Sequence, residues 1–383
     1  MRSLSRRSAL VAILACIPAF FAPPSAAQSR APILIGAVLT LTGSSSVPGL
    51  STAASLDAVV RHVNAKGGIA GRPLEVRILD DGGNADHAVE ELKRLANEAD
   101  VIAVVGATQR STAAALEQAA NEAQIPFLSL APRQAGGEPV LPWVFRLAVP
   151  EPVRIGLLID YAKRHSLSRL AVLFSNDEYG QNAAKIGSQL ATSAGLTIVN
   201  SEPLPAGNKV DDAYVLRAKA NGTQSFLAFV SERRPIVLAK AMAVRTPGLS
   251  ALSDVPAATA DFLRAAGKEA NYWRIASPKV AVAQLVPASD PLHAAIVDFV
   301  SLYPPSVRPD AISGSAHDAL MMVIDATRSA GPDRAKIRAA LESGKEFVGA
   351  MGVYSMSPSD HGAVDSQGLT LIEGSSGTWK KAD

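Results

Sequence analysis

The chain has 383 residues, of which 48% are hydrophobic and 5% aromatic, and its formal net charge is +2 at pH 7. This length exceeds the usual size of one hydrophobic core, so we expect two lobes. The near-neutral charge excludes the basic surface of a nucleic-acid-binding protein, and the apolar content excludes a disordered or fibrous chain.

Residues 1–27 have the pattern of a secretory signal peptide. Three arginines precede an apolar run over residues 9–22, and a small-residue cleavage site follows at Ala27. The apolar run is too short for a permanent membrane span. We therefore expect cleavage near Ala27 and a periplasmic mature protein. Residues 5–7 resemble a twin-arginine signal weakly, so this route stays open beside ordinary secretion.

Cys16 is the single cysteine of the sequence and lies inside this predicted signal peptide. It sits in a poor lipoprotein processing site, so ordinary cleavage is the preferred interpretation. Cleavage after Ala27 would remove three arginines and no acidic residue, which changes the formal net charge from +2 to −1. The mature chain would contain no disulfide framework and no thiolate nucleophile.

The next elements predict a first doubly wound lobe. Short β-type runs alternate with stretches of helical period, which is typical of a parallel sheet covered by helices. The predicted strands are residues 33–38, 101–106 and 125–130, with a further strand after a glycine-rich turn within 67–81, and the first helix is residues 50–65. Four strands with three intervening helices make one lobe.

After a Pro- and Gly-rich passage at 131–143, the same alternation begins again. Helices are predicted at 153–164, 179–193, 211–220 and 235–245, with strands at 170–175, 196–201, 225–230 and 249–253 among them. This predicts a second lobe of the same kind. Two further helices follow, and the glycine-containing tail after residue 348 is interpreted as turns and short strands.

Several of these segments together resemble a known family. "NAKGGIAGRPLEV" at 64–76, "DD" at 80–81 and "DEYG" at 177–180 are the most specific of them. In order and spacing they resemble the type I periplasmic solute-binding proteins of ABC importers, and among these the leucine/isoleucine/valine-binding branch. The resemblance covers about residues 32–376.

The resemblance implies an α/β fold of two doubly wound parallel-sheet lobes joined by a multi-strand hinge. The first lobe would comprise residues 28–147 and about 279–350. The second would comprise about 148–278 and about 351–383. A small-molecule ligand would lie between the lobes, and the partner would be an inner-membrane ABC permease. We expect a monomer without a cofactor.

The candidate ligand-binding residues lie in loops that follow the predicted strands. In open α/β sheets, ligands bind outside the carboxyl ends of the strands, where helix N-termini expose unpaired amides. This rule selects loops 42–46, 107–111, 131–134, 175–179 and 231–234, and Asp254. The candidates in them are Thr42, Ser44, Gln109, Arg110, Ser111, Ala131, Arg133, Tyr179, Glu232, Arg233 and Asp254.

The resemblance also implies roles for some of these residues. In the amino-acid-binding relatives, first-lobe hydroxyls and amides hold the ligand carboxylate. An aromatic residue corresponding to Tyr179 and an acid near Asp254 complete the site, and the acid faces the ligand amine. Structural alternatives exist for each residue: Tyr179 as a packing residue, Asp254 as an N-cap of residues 255–258, and Ser44 in a solvated loop. Asp80 and Asp81 are interpreted as structural carboxylates and not as catalytic ones.

The sequence departs from the family pattern at the predicted ligand grip. Gln109 and Arg110 stand where the relatives carry small hydroxyl residues, and Arg133 replaces a threonine-type residue. Glu232 and Arg233 replace an aromatic residue. Because arginine pairs bidentately with carboxylates, Arg110 and Arg133 predict a ligand more anionic than a zwitterionic amino acid, such as an aromatic acid. The alternative is that both arginines face solvent at the cleft rim.

The motifs of common enzymes are missing from the sequence. It contains no G-x-S-x-G elbow, no G-x-G-x-x-G turn and no P-loop, and its six histidines are far apart. We therefore expect no catalytic residue and no metal site. The preferred function is solute binding for import. The alternatives are a periplasmic sensor of the same fold that acts on a signalling receptor and, more remotely, an exported enzyme that uses the cleft.

Overall fold

The computed structural model describes residues 31–43, 46–131, 140–205, 212–231, 233–304, 307, 309–362 and 364–382. The predicted signal peptide lies outside these residues. The strands of the structure are β1 Ile33–Leu39, β2 Leu74–Asp80, β3 Val101–Gly106, β4 Phe127–Ser129, β5 Val144–Arg146, β6 Arg169–Ser175, β7 Thr197–Leu204, β8 Ser225–Phe229, β9 Ser250–Ser253, β10 Trp273–Pro278, β11 Phe347–Val348, β12 Val353–Tyr354, β13 Leu369–Ser375 and β14 Thr378–Lys381.

The helices pack on both faces of the sheets. They are α1 Val47–Ala65, α2 Ala85–Ala96, α3 Arg110–Glu122, α4 Glu151–Arg164, α5 Glu178–Ser193, α6 Asp212–Ala220, α7 Arg234–Arg245, α8 Ala260–Ala266, α9 His293–Ser301, α10 Ala311–Ala330 and α11 Arg334–Leu341. Strands and helices alternate as the sequence predicts.

Two sheets form the two lobes. The first has the order β2-β1-β3-β4-β5 and is parallel throughout. The second has the order β14-β13-β10-β9-β8-β6-β7, in which β6 to β10 are parallel and the C-terminal strands β13 and β14 add an antiparallel edge. The predicted fold class of two doubly wound lobes is confirmed, with β5 and β10 as strands that the sequence did not predict.

The chain crosses between the sheets more than once. It leaves the first sheet after Arg146, leaves the second after Pro278, and re-enters the second at Leu369. The sequence placed the last lobe boundary near residue 351. Met351, Tyr354 and Met356 pack in the apolar core of the first lobe instead, so packing favours a boundary near residue 365. The lobe limits themselves stay a prediction.

The core of each sheet is apolar on both faces. All residues of β1 and of β3 are buried, which is typical of a parallel strand covered by helices on both sides. Because helices cover both faces, the loops at the carboxyl ends of the strands remain for contacts with the other lobe. No helix among the described residues is long and apolar enough to cross a membrane.

Candidate functional site

A cavity of about 220 Å³ lies between the lobes, at the carboxyl ends of the parallel strands. Thr108 and Leu130 line it from loops that follow β3 and β4. Arg154 and Val255 line it from the second lobe, and Ser315 from the first turns of α10. None of the sequence candidates that the structure describes lines the cavity, but Thr108, Leu130 and Val255 are the direct neighbours of Gln109, Ala131 and Asp254. The strand-end rule therefore selected loops that border this candidate cavity: Thr108 lies within the selected loop 107–111, and Leu130 and Val255 lie one residue outside the selected positions.

A larger groove of about 930 Å³ lies elsewhere, among Val280, Tyr303 and Trp379. It is formed by the segment after β10, the end of α9 and the turn between β13 and β14. None of the described sequence candidates lines this groove, and it does not lie at the ends of β3, β4 and β9. We therefore take the smaller cavity, which both sheets help to form, as the candidate ligand site.

Asp254 is the centre of a buried polar cluster beside the cavity. It follows β9, has an exposed fraction of 0%, and accepts a hydrogen bond from the Tyr179 hydroxyl. The Nε and Nη2 groups of Arg154 approach its second oxygen at 3.4 and 3.3 Å. Arg154 Nη1 also donates to the Val149 carbonyl at 2.7 Å. The carboxylate that the resemblance assigns to a ligand amine is thus paired with an arginine of the chain itself.

The N-cap alternative for Asp254 does not describe its side chain. The residue precedes a short 3-10 turn at Val255–Ala257, and its side chain makes no capping hydrogen bond there. Its oxygens face Tyr179 and Arg154 instead. Burial, followed by the charge and hydrogen bond of Asp254, raises the pKa of Tyr179 well above its ordinary value near 10. The tyrosine therefore stays a neutral hydrogen-bond donor.

Tyr179 is positioned by the backbone contacts of its neighbours in the "DEYG" segment. Asp177 caps α5 by accepting from the Gly180 amide at 2.8 Å. A Cβ at Gly180 would lie 2.1 Å from the carbonyl oxygen of Ser175, so glycine is required where α5 meets the end of β6. This close approach places the first turn of α5, with Tyr179, over the strand ends.

Arg110 pairs with acidic residues of the opposite lobe. It begins α3, and its Nη2 donates to Glu151 Oε1 at 2.8 Å, while its Nε lies 3.5 Å from Glu178 Oε1. The Glu151 side chain is only 1% exposed and also accepts from Asn182 at 3.3 Å. Neither the ligand grip nor the solvent-facing alternative describes this geometry, because the guanidinium joins the first turns of α3, α4 and α5.

The loop before Arg110 is held in a strained form. Ala107 has a φ of 57°, in the left-handed region that side chains other than glycine rarely adopt. The next residue, Thr108, accepts a hydrogen bond from the Thr40 amide at 3.3 Å through its hydroxyl. Gln109 has the extended backbone of an N-cap, without a side-chain capping bond. Such strain is found most often at functional loops.

The remaining first-lobe candidates have other partners or positions. Thr42 donates to Asp80 at 2.7 Å, and Asp80 also accepts from the Leu41 and Gly82 amides at 2.8 and 2.9 Å. Burial opposes ionisation of Asp80, but these hydrogen bonds together lower its pKa below the ordinary value. Ser111 is exposed on α3, and Ala131 is 5% exposed in the apolar core.

The neighbouring Asp81 accepts from Thr40 Oγ1 at 2.7 Å and from the Gly83 amide at 2.8 Å. Both carboxylates of the Asp80–Asp81 pair thus fix loops at the end of β1, in agreement with the structural interpretation. In the second lobe, Arg233 precedes α7 with a side chain 64% exposed, 3.3 Å from Asp261. It lies outside the cavity. Ser44, Arg133 and Glu232 are outside the described residues.

Sequence reasoning missed Glu151 and Arg154, and a signal for them existed. Together with Leu158 they fall at i, i+3 and i+7 of α4, so they share one face with buried apolar residues. Charged residues on an apolar helix face are rarely buried unless they are paired. Two of them in the first turn, directly after the crossing between the lobes, indicate a role at the lobe interface.

Among the described residues, no group of three or more histidine, aspartate, glutamate or cysteine residues is arranged to hold a metal ion. The groups that converge on the cleft are guanidinium, hydroxyl and carboxylate groups that pair with one another. This arrangement is suited to binding and to holding the lobes together.

The chain is similar to known proteins in sequence and in structure. A family profile described as "Periplasmic binding protein" matches residues 32–377. Leu/Ile/Val-binding protein homolog 7 of Brucella suis biovar 1 (strain 1330) is 27% identical over 213 residues, which are 53% of this chain and 53% of that protein. The chain thus spans about half the length of the curated relatives it matches.

The similar solved structures cover almost the whole chain. An extracellular ligand-binding receptor from Rhodopseudomonas palustris HaA2 has a TM-score of 0.77 at 23% identity, covering 92% of this chain and 100% of that one. An ABC transporter substrate-binding protein from Desulfitobacterium hafniense in complex with Leu has a TM-score of 0.72 at 17% identity, with the same coverage. At these identities they establish the fold. With the family match over residues 32–377, the chain belongs to the periplasmic binding protein family, with the type I fold.

Proposed function

We propose that this chain is the extracytoplasmic solute-binding component of an ABC importer. It captures a small carboxylate-bearing ligand, an amino acid or an organic acid, in the cavity of about 220 Å³ between the lobes. The observation that carries the proposal is this cavity, to which loops from both sheets contribute. Its partner is an inner-membrane permease that accepts the closed, loaded form, and the predicted signal peptide provides export.

The mechanism is a shift of population toward the closed form. A ligand that touches Thr108 on one lobe and Arg154 on the other gains all its contacts only when the lobes are together. Arg110 contributes to the same equilibrium from the chain itself, since its partners Glu151 and Glu178 begin helices of the second lobe. Opening the cleft separates these charges and returns Glu151 to water.

The sequence candidates take supporting roles in this proposal. Tyr179 and Asp254 hold Arg154 in place, and Arg110 stabilises the closed form. Thr42 orders the loop after β1 through Asp80. Direct contact with the ligand is assigned to Thr108, Ser315 and Arg154. Contacts by Ser44, Arg133 and Glu232, and the monomeric state, stay predictions.

A thermal-shift panel tests the proposal. The purified protein is mixed with branched-chain amino acids, benzoate-like and hydroxycinnamate-like acids, dicarboxylates and small amides. A ligand at 100 times its dissociation constant stabilises the folded form by about 2.7 kcal/mol. We expect one class to raise Tm and to lower the radius of gyration in X-ray scattering. A panel in which no compound raises Tm contradicts solute binding, and chemical turnover of a bound compound favours the enzyme alternative.

A further inference from the structure

The cavity carries one kind of charge. Of the described residues that line it, Arg154 is the charged one, Thr108 and Ser315 contribute hydroxyls, and the others are apolar or small. The Arg154 side chain is 11% exposed. A ligand in this cavity therefore has a guanidinium and hydroxyls as polar partners, and an apolar wall around the rest of its surface.

Two acidic groups beside the cavity, Asp254 and Glu151, are already paired. Asp254 is fully buried, with the Tyr179 hydroxyl on one oxygen and Arg154 on the other. Glu151 uses one oxygen for Arg110 and the other for Asn182. An ammonium group in the cavity would thus meet no carboxylate lining residue among the described ones and would lie beside a guanidinium. Burying a charge without a partner is strongly unfavourable, so the site disfavours ammonium.

Arg154 has donors left for a ligand. Its hydrogen bonds to Asp254 and Val149 use the Nε group and one N–H on each terminal nitrogen. A guanidinium carries five N–H groups, so two of them have no acceptor among the described residues. Asp254 and Val149 also fix the plane of the guanidinium. A planar group held in this way binds a carboxylate with little further loss of side-chain entropy.

From this geometry we propose that the ligand is a carboxylic acid with a compact apolar body and no ammonium group, and that Arg154 receives its carboxylate. The inference rests on the proposed function, because it concerns the same cavity. It differs from the sequence hypothesis in assigning the carboxylate to Arg154 and not to Arg110, whose guanidinium is paired across the lobes. Thr108 donates a hydroxyl hydrogen bond beside it, while the Ser315 hydroxyl, which also lines the cavity, donates to the Ala311 carbonyl at 3.0 Å.

Matched pairs of acids test the absence of the ammonium group. The pairs are 4-methylpentanoate with L-leucine and 3-phenylpropanoate with L-phenylalanine, which differ only in the α-ammonium group. 4-Methylpentanamide and 3-phenylpropanamide replace the carboxylate by a neutral amide. Binding to the full mature protein is measured by calorimetry and by the shift in Tm. We expect at least one ammonium-free acid to bind about tenfold or more tightly than both its amino acid and its amide.

The variant Arg154→Gln combined with Asp254→Asn tests the assigned residue. It removes both charges together, so no buried charge is left without a partner. We expect it to lower the affinity for the ammonium-free acid by about tenfold to a hundredfold, while the affinity for the matching amide changes little. Arg245→Gln is the control, because Arg245 pairs with Asp212 at the surface of the second lobe. Circular dichroism and a cooperative melt establish that each variant is folded.

The outcomes separate the inference from the proposed function. If L-leucine or L-phenylalanine binds as tightly as its ammonium-free acid, or an amide does, the inference is wrong and solute binding stands. Unchanged acid affinity in the folded double variant also overturns the role of Arg154. If none of these compounds and none of the wider panel binds, both proposals are wrong.

Discussion

The two arginine clusters at the cleft differ in where their partners lie. Arg110 and Arg154 both lie in the first turns of helices, and both pair with a buried carboxylate. The partners of Arg110 belong to the opposite lobe, whereas Asp254 belongs to the same lobe as Arg154. Arg110 can exchange its carboxylate partner for water when the lobes separate. Arg154 cannot, because both members of its pair belong to the same lobe. The same chemical pairing therefore serves closure in one place and site construction in the other.

Asp254→Ala is expected to have the largest effect on stability, because it breaks the buried Arg154–Asp254 pair, whose two members lie in the same lobe. It would leave the buried Arg154 charge without its carboxylate, which costs about 3–5 kcal/mol of unfolding free energy. Urea denaturation measures this loss. Asp261→Ala is the matched control, since Asp261 is partly exposed in its pairs with Arg233 and Arg264, and such pairs contribute about 1 kcal/mol or less. Equal losses in the two variants would contradict the comparison.

Tyr179→Phe examines the same cluster by removing one hydrogen bond and no charge. It leaves a buried oxygen of Asp254 without its donor, so we expect a loss of about 1–3 kcal/mol. The measurement is again urea denaturation, with Tyr214→Phe as the control because Tyr214 packs beside Arg217 outside the cleft. A loss no larger than that of the control would show that the hydroxyl is not a structural donor.

The raised pKa of Tyr179 gives this cluster a dependence on alkaline pH. The folded state retains the Tyr179 proton above pH 10, where an unfolded tyrosine loses it. The contribution of this tyrosine to the unfolding free energy is therefore complete below pH 10 and is lost as pH rises further. We expect the unfolding free energy of the wild type to fall above pH 10 more steeply than that of Tyr179→Phe. Parallel pH profiles of the two proteins would contradict this.

Arg110→Ala is expected to change stability less and conformation more. The unfolding free energy should fall by only about 1 kcal/mol. When the cleft opens, water solvates the Glu151 carboxylate in place of the lost Arg110 guanidinium. X-ray scattering of the ligand-free protein should report a larger radius of gyration. Glu151→Gln removes the same pair from the other lobe and should produce the same opening. Unchanged scattering in both variants would exclude a role of this pair in closure.

Thr42→Ala is expected to have the smallest effect and serves as a reference within the first lobe. The Thr42 hydroxyl bonds Asp80 in a loop open to solvent, so we expect a loss of about 0.5 kcal/mol at pH 7. The pKa of Asp80 is lowered in the folded state. The stabilisation by the Thr42–Asp80 hydrogen bond is therefore present at pH values above the ordinary carboxyl pKa near 3.8 and is lost as pH falls. The unfolding free energies of Thr42→Ala and of the wild type, measured from pH 7 to pH 3, should become equal as the pH falls.

The ligand residues predicted from the sequence stay a prediction, and three of them are neighbours of residues that line the cavity. The strand-end rule selected the loops that hold Gln109, Ala131 and Asp254, and the cavity is lined by the residue next to each of them. Ala131 and Asp254 are instead buried within their own lobes. Arg154 was missed because its importance depends on Asp254, which lies 100 residues away in the sequence.

The sequence by itself determined the alternation of strands and helices, the two lobes and the family. These follow from local periodicity, from glycines such as Gly180 in the first turn of α5, and from segments whose order is read along the chain. Only the tertiary structure decided the partners of the charged residues. Pairing of Arg110 with Glu151, or of Arg154 with Asp254, depends on how the sheets bring distant helix ends together, and a charge has no preference for a partner until burial removes water as the competitor.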